Sequence, residues 1–180
     1  MNKIKDRVTL SILAGGIGTL ALMAVDLISS RLGISQRSYR TTAAGVWLSS
    51  RRQAESTLGQ LLGTIMSVGL SMLGAFALIG LLTKHGRDKI VLKGLFFGTT
   101  FGAVINAMLS GLVNKKVKPK DPASNLSYVA SSAVFGLTTA LIASKMGHDS
   151  LFDAQPHNDW VKPTEKTTEE LKLHPPIAAK

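Results

Sequence analysis

Residues 57–82, TLGQLLGTIMSVGLSMLGAFALIGLL, contain no ionisable side chain. A helix rises about 1.5 Å per residue, so roughly 20 apolar residues cross the hydrocarbon layer of a bilayer. This stretch exceeds that length, and it lacks the polar stripe that a helix on the core of a small soluble protein carries. It therefore predicts a helix that spans a membrane.

Three more apolar stretches of similar length lie at residues 8–28, 90–113 and 125–144. Charged residues make up 18% of the chain, yet only Asp26 and Lys93 fall inside these stretches. A charge at mid-bilayer costs about 2.5–3.5 kcal/mol on insertion scales, so a lipid solvent requires this segregation. The sequence predicts an all-α fold, a transmembrane bundle of four helices.

The net charge of +10 raises the question of nucleic-acid binding. The basic residues, however, flank the spans in small clusters, which is typical of contact with anionic lipid head groups. We expect the lipid bilayer as partner, and no nucleic acid. The chain has no cysteine, which excludes disulfides, thiolate metal sites and cysteine nucleophiles.

The N-terminus resembles a signal peptide, because a short basic segment precedes an apolar run. The run is longer than a typical signal-peptide core, and no small-x-small cleavage site follows it. We expect an uncleaved first span.

The connections differ in length. Spans 2 and 3 are joined by a tight turn, so we expect them to form an antiparallel hairpin. The first loop is longer, and its residues 41–50 predict a short interfacial helix with Trp47 at head-group depth; an irregular loop is the alternative. We place the transmembrane domain at residues 1–146. Residues 147–180 carry four prolines and many charges, which predicts a polar, disordered tail.

An even number of spans puts the N-terminus, the span 2–3 turn and the tail on one side of the membrane, here called side A. The other two loops lie on side B. Lys and Arg are almost evenly divided between the sides, so the positive-inside rule discriminates little. We expect a multi-pass protein of a bacterial cytoplasmic membrane with both termini in the cytoplasm.

Small residues recur at every fourth position in spans 2, 3 and 4. Residues four apart lie on one helix face, so each series makes a groove that allows close backbone approach, the main attraction between helices in lipid. This glycine-zipper spacing predicts tight packing within the bundle, with contact to a second copy as the alternative. The predicted packing glycines are Gly59, Gly63, Gly94, Gly98, Gly102 and Gly136.

Each of the four spans places a polar residue in its side-B half. Intramembrane polar groups usually face the interior and pair with one another. We therefore predict a polar cluster as the candidate site, with Asp26 as a candidate proton carrier; the alternative is that these groups only clamp helices together. The residues of this predicted cluster are Asp26, Gln60, Asn106 and Tyr128.

The sequence offers little for catalysis. No span contains histidine, and the serines and threonines of the spans lie on the packing grooves, so no nucleophile–base pair is predicted. Gly15, Gly16 and Gly18 lie inside span 1 without the context of a phosphate-binding loop. We expect no enzyme activity, no cofactor and no metal.

Three segments carry a resemblance: DLIS at residues 26–29, LKGLFFG at 92–98 and VFGL at 134–137. Their order is similar to that of small four-span membrane proteins of Gram-positive bacteria that remain uncharacterised. The resemblance covers roughly residues 8–146, and it implies a fold and a compartment without an activity.

Two functions follow as hypotheses. The first is a non-enzymatic structural or accessory component of the membrane, whose partner is a second copy or another membrane protein. The alternative is a small transporter or channel that uses Asp26 and Asn106.

Overall fold

The computed structural model describes residues 3–113 and 121–152, and these residues are helical with short connections. Four helices are long and apolar enough to cross a membrane, which confirms the predicted fold class. Two short helices lie in the first long loop, and a single 3₁₀ turn follows the last helix. In chain order the helices are α1 (Arg7–Arg31), α2 (Tyr39–Ala44), α3 (Arg51–Glu55), α4 (Thr57–His85), α5 (Ile90–Leu112) and α6 (Pro122–Met146), and the 3₁₀ turn is Asp149–Leu151.

Capping residues set where the long helices begin. The Asp6 carboxylate accepts a hydrogen bond from the Thr9 N–H at 2.7 Å, and the Asp121 carboxylate accepts one from the Ser124 N–H at 2.7 Å. These bonds satisfy backbone donors that the first turn of a helix leaves free. They also explain why α1 and α6 begin before the apolar stretches that predict them.

Helix α6 is central, because it packs against α1 on one side and α5 on the other, while α1 also packs against α4. Helices α4 and α5 run in opposite directions, as their tight turn requires, but they barely touch. Spans 2 and 3 are therefore antiparallel neighbours along the chain, as expected, but they make few contacts with each other. The glycine face of α5 packs against α6. The α4–α5 turn therefore determines the direction in which α5 runs, whereas the glycine face determines which helix it packs on.

Glycines bring the backbones of α5 and α6 together. A Cβ atom built on Gly136 would come within 2.6 Å of the Gly98 Cα, and one on Gly94 would lie 2.9 Å from the Gly136 carbonyl oxygen. One on Gly102 would overlap the Ser132 side chain. Since no real Cβ makes backbone contacts this short, only glycine fits at the centre of this interface.

On the other side of α6, α1 packs through small residues of its own. Gly15 lies against Ala75 of α4, and Gly18 lies against Thr139 and Phe135 of α6. Towards side A the three helices converge on a fully buried apolar cluster that includes Leu10, Leu78, Leu82 and Ala140.

The segment after α6 folds back onto the side-A end of the bundle. The Ile4 N–H donates to the Met146 carbonyl and the His148 N–H donates to the Ile4 carbonyl, both at 2.8 Å. The Asp149 carboxylate pairs with Lys3 and with Arg87, each at 2.7 Å. These bonds join the N-terminus, the α4–α5 turn and the end of α6 on one side, as the span count predicts.

Phe152 lies 1% exposed in the same cluster as Leu10 and Leu82. Residues 147–152 therefore belong to the folded domain, and the expectation of a disordered tail from residue 147 is wrong for them, because the aromatic ring and the Asp149 ion pairs hold them down. The rest of the predicted tail, residues 153–180, lies outside the described residues.

Candidate functional site

The side-B half of the bundle holds a short helix from the first loop. Among the six residues of α2, Tyr39 and all of residues 41–44 are at most 9% exposed. The Arg40 carbonyl lies against Gly63 of α4, where a Cβ would overlap it. Gly63 is six residues inside α4, so α2 reaches about 9 Å below the helix end. The short helix is therefore buried against the side of α4, with protein around it.

This arrangement changes the predicted interfacial helix of residues 41–50. The helix is shorter, it begins at Tyr39 and it ends at Ala44, and it is buried against α4 instead of lying on the surface of the bundle. Trp47 follows in a turn and is 69% exposed. The sequence alone does not predict this docking, because the apolar and small residues of the loop are suited both to the membrane surface and to a contact with α4.

Asp26 holds the N-terminus of α2. Its carboxylate is 2% exposed, and both oxygens accept the Tyr39 N–H, at 2.9 and 3.0 Å. Tyr39 is the first residue of α2, so this N–H has no partner within its own helix. Asp26, a residue of α1, thus acts as a cap for α2. The Ser38 side chain caps the same helix by accepting a hydrogen bond from the Thr41 N–H.

Tyr128 of α6 fixes the other side of α2. Its hydroxyl donates to the Arg37 carbonyl at 2.7 Å and lies 3.1 Å from the Thr42 hydroxyl. The rings of Tyr39 and Tyr128 meet edge to face, with centroids 5.5 Å apart.

Gln60 supplies the contact from α4. Its side-chain amide donates to the Thr41 hydroxyl and to the Ala54 carbonyl, both at 2.8 Å. One amide therefore ties α2 and α3 to the first turn of α4. Gly59, one residue earlier, lies against the carbonyls of Gln53 and Ala54.

Asn106 lies apart from this group. Its amide donates to the Asn125 side chain at 3.1 Å, across the α5–α6 contact. Among the residues that the structure describes, no hydrogen bond joins two of the four predicted cluster residues directly. Asp26, Gln60 and Tyr128 are brought together by α2, which lies between them, and Asn106 is not part of that arrangement.

Serines complete the attachment of the loop. The hydroxyls of Ser29 and Ser127 pair across α1 and α6 at 2.5 Å, and the Ser124 hydroxyl accepts the Gln36 N–H at 2.8 Å. These residues, with Tyr39, Thr41 and Thr42 of α2, are the ones that sequence reasoning did not single out. The one indication of them in the sequence is the pair Gly59 and Gly63, because the groove that these glycines form on α4 leaves room for the backbone of another segment.

The chemistry of this site is hydrogen bonding between buried groups. Within residues 3–113 and 121–152, no group of three or more histidine or acidic side chains is placed to hold a metal ion. The expectation of no cofactor and no enzyme activity stays a prediction.

Four helices that are long and apolar enough to cross a membrane, with a short loop helix packed among them, define the class: a multi-pass membrane protein. Comparison of the chain with protein-family models, with curated proteins and with solved structures finds no match.

Proposed function

We propose that this protein is a non-enzymatic structural or accessory component of a membrane. The observation that carries the proposal is that three of the four polar residues predicted for the side-B cluster hold α2 in place. Asp26, Gln60 and Tyr128 each bond to α2 or to the residue that leads into it. Groups engaged in this way stabilise one conformation.

Five buried hydroxyls of the long helices support the same proposal, although the buried Thr139 hydroxyl has no hydrogen-bond partner among the described residues. Those of Ser11, Thr19, Ser67, Ser131 and Ser132 each donate to the carbonyl four residues earlier in their own helix. A hydroxyl used in this way satisfies itself locally. It has no need of a solute or a water chain.

The compartment belongs to the proposal as well. We place the protein in a bacterial cytoplasmic membrane with both termini in the cytoplasm and with its basic loops on anionic head groups. Three short segments, residues 26–29, 92–98 and 134–137, resemble small four-span proteins of Gram-positive bacteria, and that resemblance is our reason for proposing this compartment. A second copy or another membrane protein is the proposed protein partner.

The alternative is a small transporter or channel, and one observation favours it. Asp26 is an acidic residue inside a span, it is 2% exposed, and the Tyr39 N–H is its hydrogen-bond donor. Ionisable residues within spans often mark ion or proton pathways.

Asp26→Asn separates the two functions, because an amide keeps the acceptor oxygen for the Tyr39 N–H but carries no charge. Proton and ion flux is measured in proteoliposomes with wild type and with this variant. For a structural component, flux equals that of protein-free vesicles for both, and Asp26→Asn unfolds like wild type. Flux that wild type supports and Asp26→Asn abolishes would overturn the proposal in favour of the alternative.

A matched variant reports the structural role of Asp26. Asp26→Ala removes the acceptor and leaves a buried N–H unpaired, which costs about 1–3 kcal/mol. We expect it to expose α2 where Asp26→Asn does not, with labelling of a single cysteine at Ala43 as the measurement.

A further inference from the structure

An apolar groove lies on the outside of the bundle at side B, between α1 and α6. It has a volume of about 360 Å³, and it is open on one side. Its walls include Val25 and Ile28 of α1, Ile34 of the first loop, and Leu126 and Ala130 of α6. The groove follows α6 from Ala123 to Ala130, a length of about 10 Å.

The groove walls offer almost no free polar group. Ser29 and Ser127 contribute to its lining, but their hydroxyls pair with each other. Ile28, Ile34 and Leu126 are 57%, 52% and 70% exposed. A surface of this kind, facing the hydrocarbon layer, fits an alkyl chain.

One helical turn beyond Ile28, towards side B, α1 carries an exposed cation. Arg31 is the last residue of α1, it is exposed, and it makes no hydrogen bond or ion pair with any residue in the described part of the chain. It lies three residues after Ile28, so both side chains share one helix face. Asp121, which precedes α6 at side B, accepts hydrogen bonds from the N–H and the hydroxyl of Ser124.

A second apolar groove gives the contrast. It lies between α4 and α5, has a volume of about 330 Å³, and includes Lys93 in its lining. The Lys93 ammonium donates to the His85 and Gly86 carbonyls and pairs with Asp88 at 2.6 Å. Its charge is used within the turn, so this groove has an apolar wall without a free cation.

We propose that the α1–α6 groove binds an anionic phospholipid, with an acyl chain along Ile28 and Leu126 and the phosphate on Arg31. The proposal deepens the proposed contact with anionic head groups by giving it one site. Because its test measures lipid binding and not flux, it can fail while the proposed function stands.

The test uses quenching of a single tryptophan by brominated lipids. In a background with Trp47→Phe and Trp160→Phe, tryptophan replaces Leu126 in the groove or, as a control, Leu61 on α4. Each position is the fifth residue of its helix and is more than half exposed. Vesicles contain brominated phosphatidylglycerol or brominated phosphatidylcholine, and the ratio of the two binding constants is measured at each position.

A basic residue near the membrane surface favours an anionic lipid about fivefold. We expect such a ratio at position 126 and a smaller one at position 61. Arg31→Gln lowers the ratio at 126 to that at 61. Arg52→Gln, which removes an exposed charge elsewhere at side B, leaves it unchanged. Ala130→Phe fills the groove and also lowers the ratio at 126, whereas Thr100→Phe in the α4–α5 groove does not.

Three results would overturn the proposal. Equal ratios at the two positions would mean that no site exists. An effect of Arg52→Gln as large as that of Arg31→Gln would mean diffuse attraction by the surface. Protection of the tryptophan at 126 from both lipids would mean that a protein, such as a second copy, covers the groove.

Discussion

Gly136→Ala tests the contact that fixes α5 on α6. The added Cβ would lie 2.6 Å from the Gly98 Cα and 2.7 Å from the Gly98 nitrogen. The Gly94 carbonyl oxygen would be closer still, and ordinary van der Waals contact begins at 3.4 Å, so the backbones must separate by about 1 Å. Overpacking of this kind costs about 1–3 kcal/mol, and the higher helix propensity of alanine returns up to about 1 kcal/mol of it.

Gly69→Ala is the matched control, because a Cβ at Gly69 of α4 has no atom within 4 Å. It gains the same propensity without the clash, so the difference between the variants isolates the packing cost. The free energy of unfolding is measured in mixed micelles by titration with sodium dodecyl sulfate, followed by circular dichroism. We expect Gly136→Ala to be the less stable by about 1–3 kcal/mol. Equal stability of the two variants would refute the close α5–α6 contact.

Two further predictions concern the two ends of the bundle. Gly63→Ala places a Cβ on the Arg40 carbonyl and should lift α2, so that a single cysteine at Ala43 reacts with a water-soluble maleimide much faster than in the Gly69→Ala control; unchanged labelling would contradict the docking. The hydrogen bond from Lys3, and then that from Arg87, lowers the pKa of Asp149 below its usual 3.8, so its stabilising effect is present above that pH and is lost as the pH falls below it. The protection factor of the His148 amide, its exchange relative to the intrinsic rate at the same pH, should fall below about pH 4. Asp149→Asn should have a low protection factor already at pH 7, and strong protection in that variant would argue against the ion pairs.

The positions of the four long helices follow from the sequence because lipid imposes a simple rule. A spanning segment has to be apolar over its whole width, so residues 57–82 and their three counterparts stand out without any tertiary information. Their ends are less predictable, since polar caps such as Asp6 and Asp121 lie outside the apolar runs.

The docked helix α2 could not be predicted in the same way. It has six residues, which is far shorter than the segment that a membrane rule detects, and its burial depends on distant partners. Asp26 lies 13 residues before Tyr39, and Tyr128 lies 91 residues after Arg37. The polar residues in the spans indicated where hydrogen bonds would form, but they did not indicate that residues of a loop would be their partners.

For a related reason, the sequence does not predict which segment packs against each small-residue face. Spacing shows that a groove exists, but any backbone can fill it. The face of α5 receives α6, whereas Gly59 and Gly63 of α4 receive the loop residues Ala54 and Arg40. The choice depends on the whole set of competing contacts.

Spin labels test most directly that lipid surrounds this bundle. The chain contains no cysteine, so single cysteines at Leu20, Leu73 and Val104, which are exposed near the middle of α1, α4 and α5, can each carry one label in vesicles. We expect all three labels to collide with oxygen and to be shielded from a water-soluble nickel chelate, while a label at Arg52, an exposed residue of α3, is accessible to the chelate. Access of the chelate to the three mid-helix labels, equal to that at Arg52, would contradict the membrane-spanning bundle.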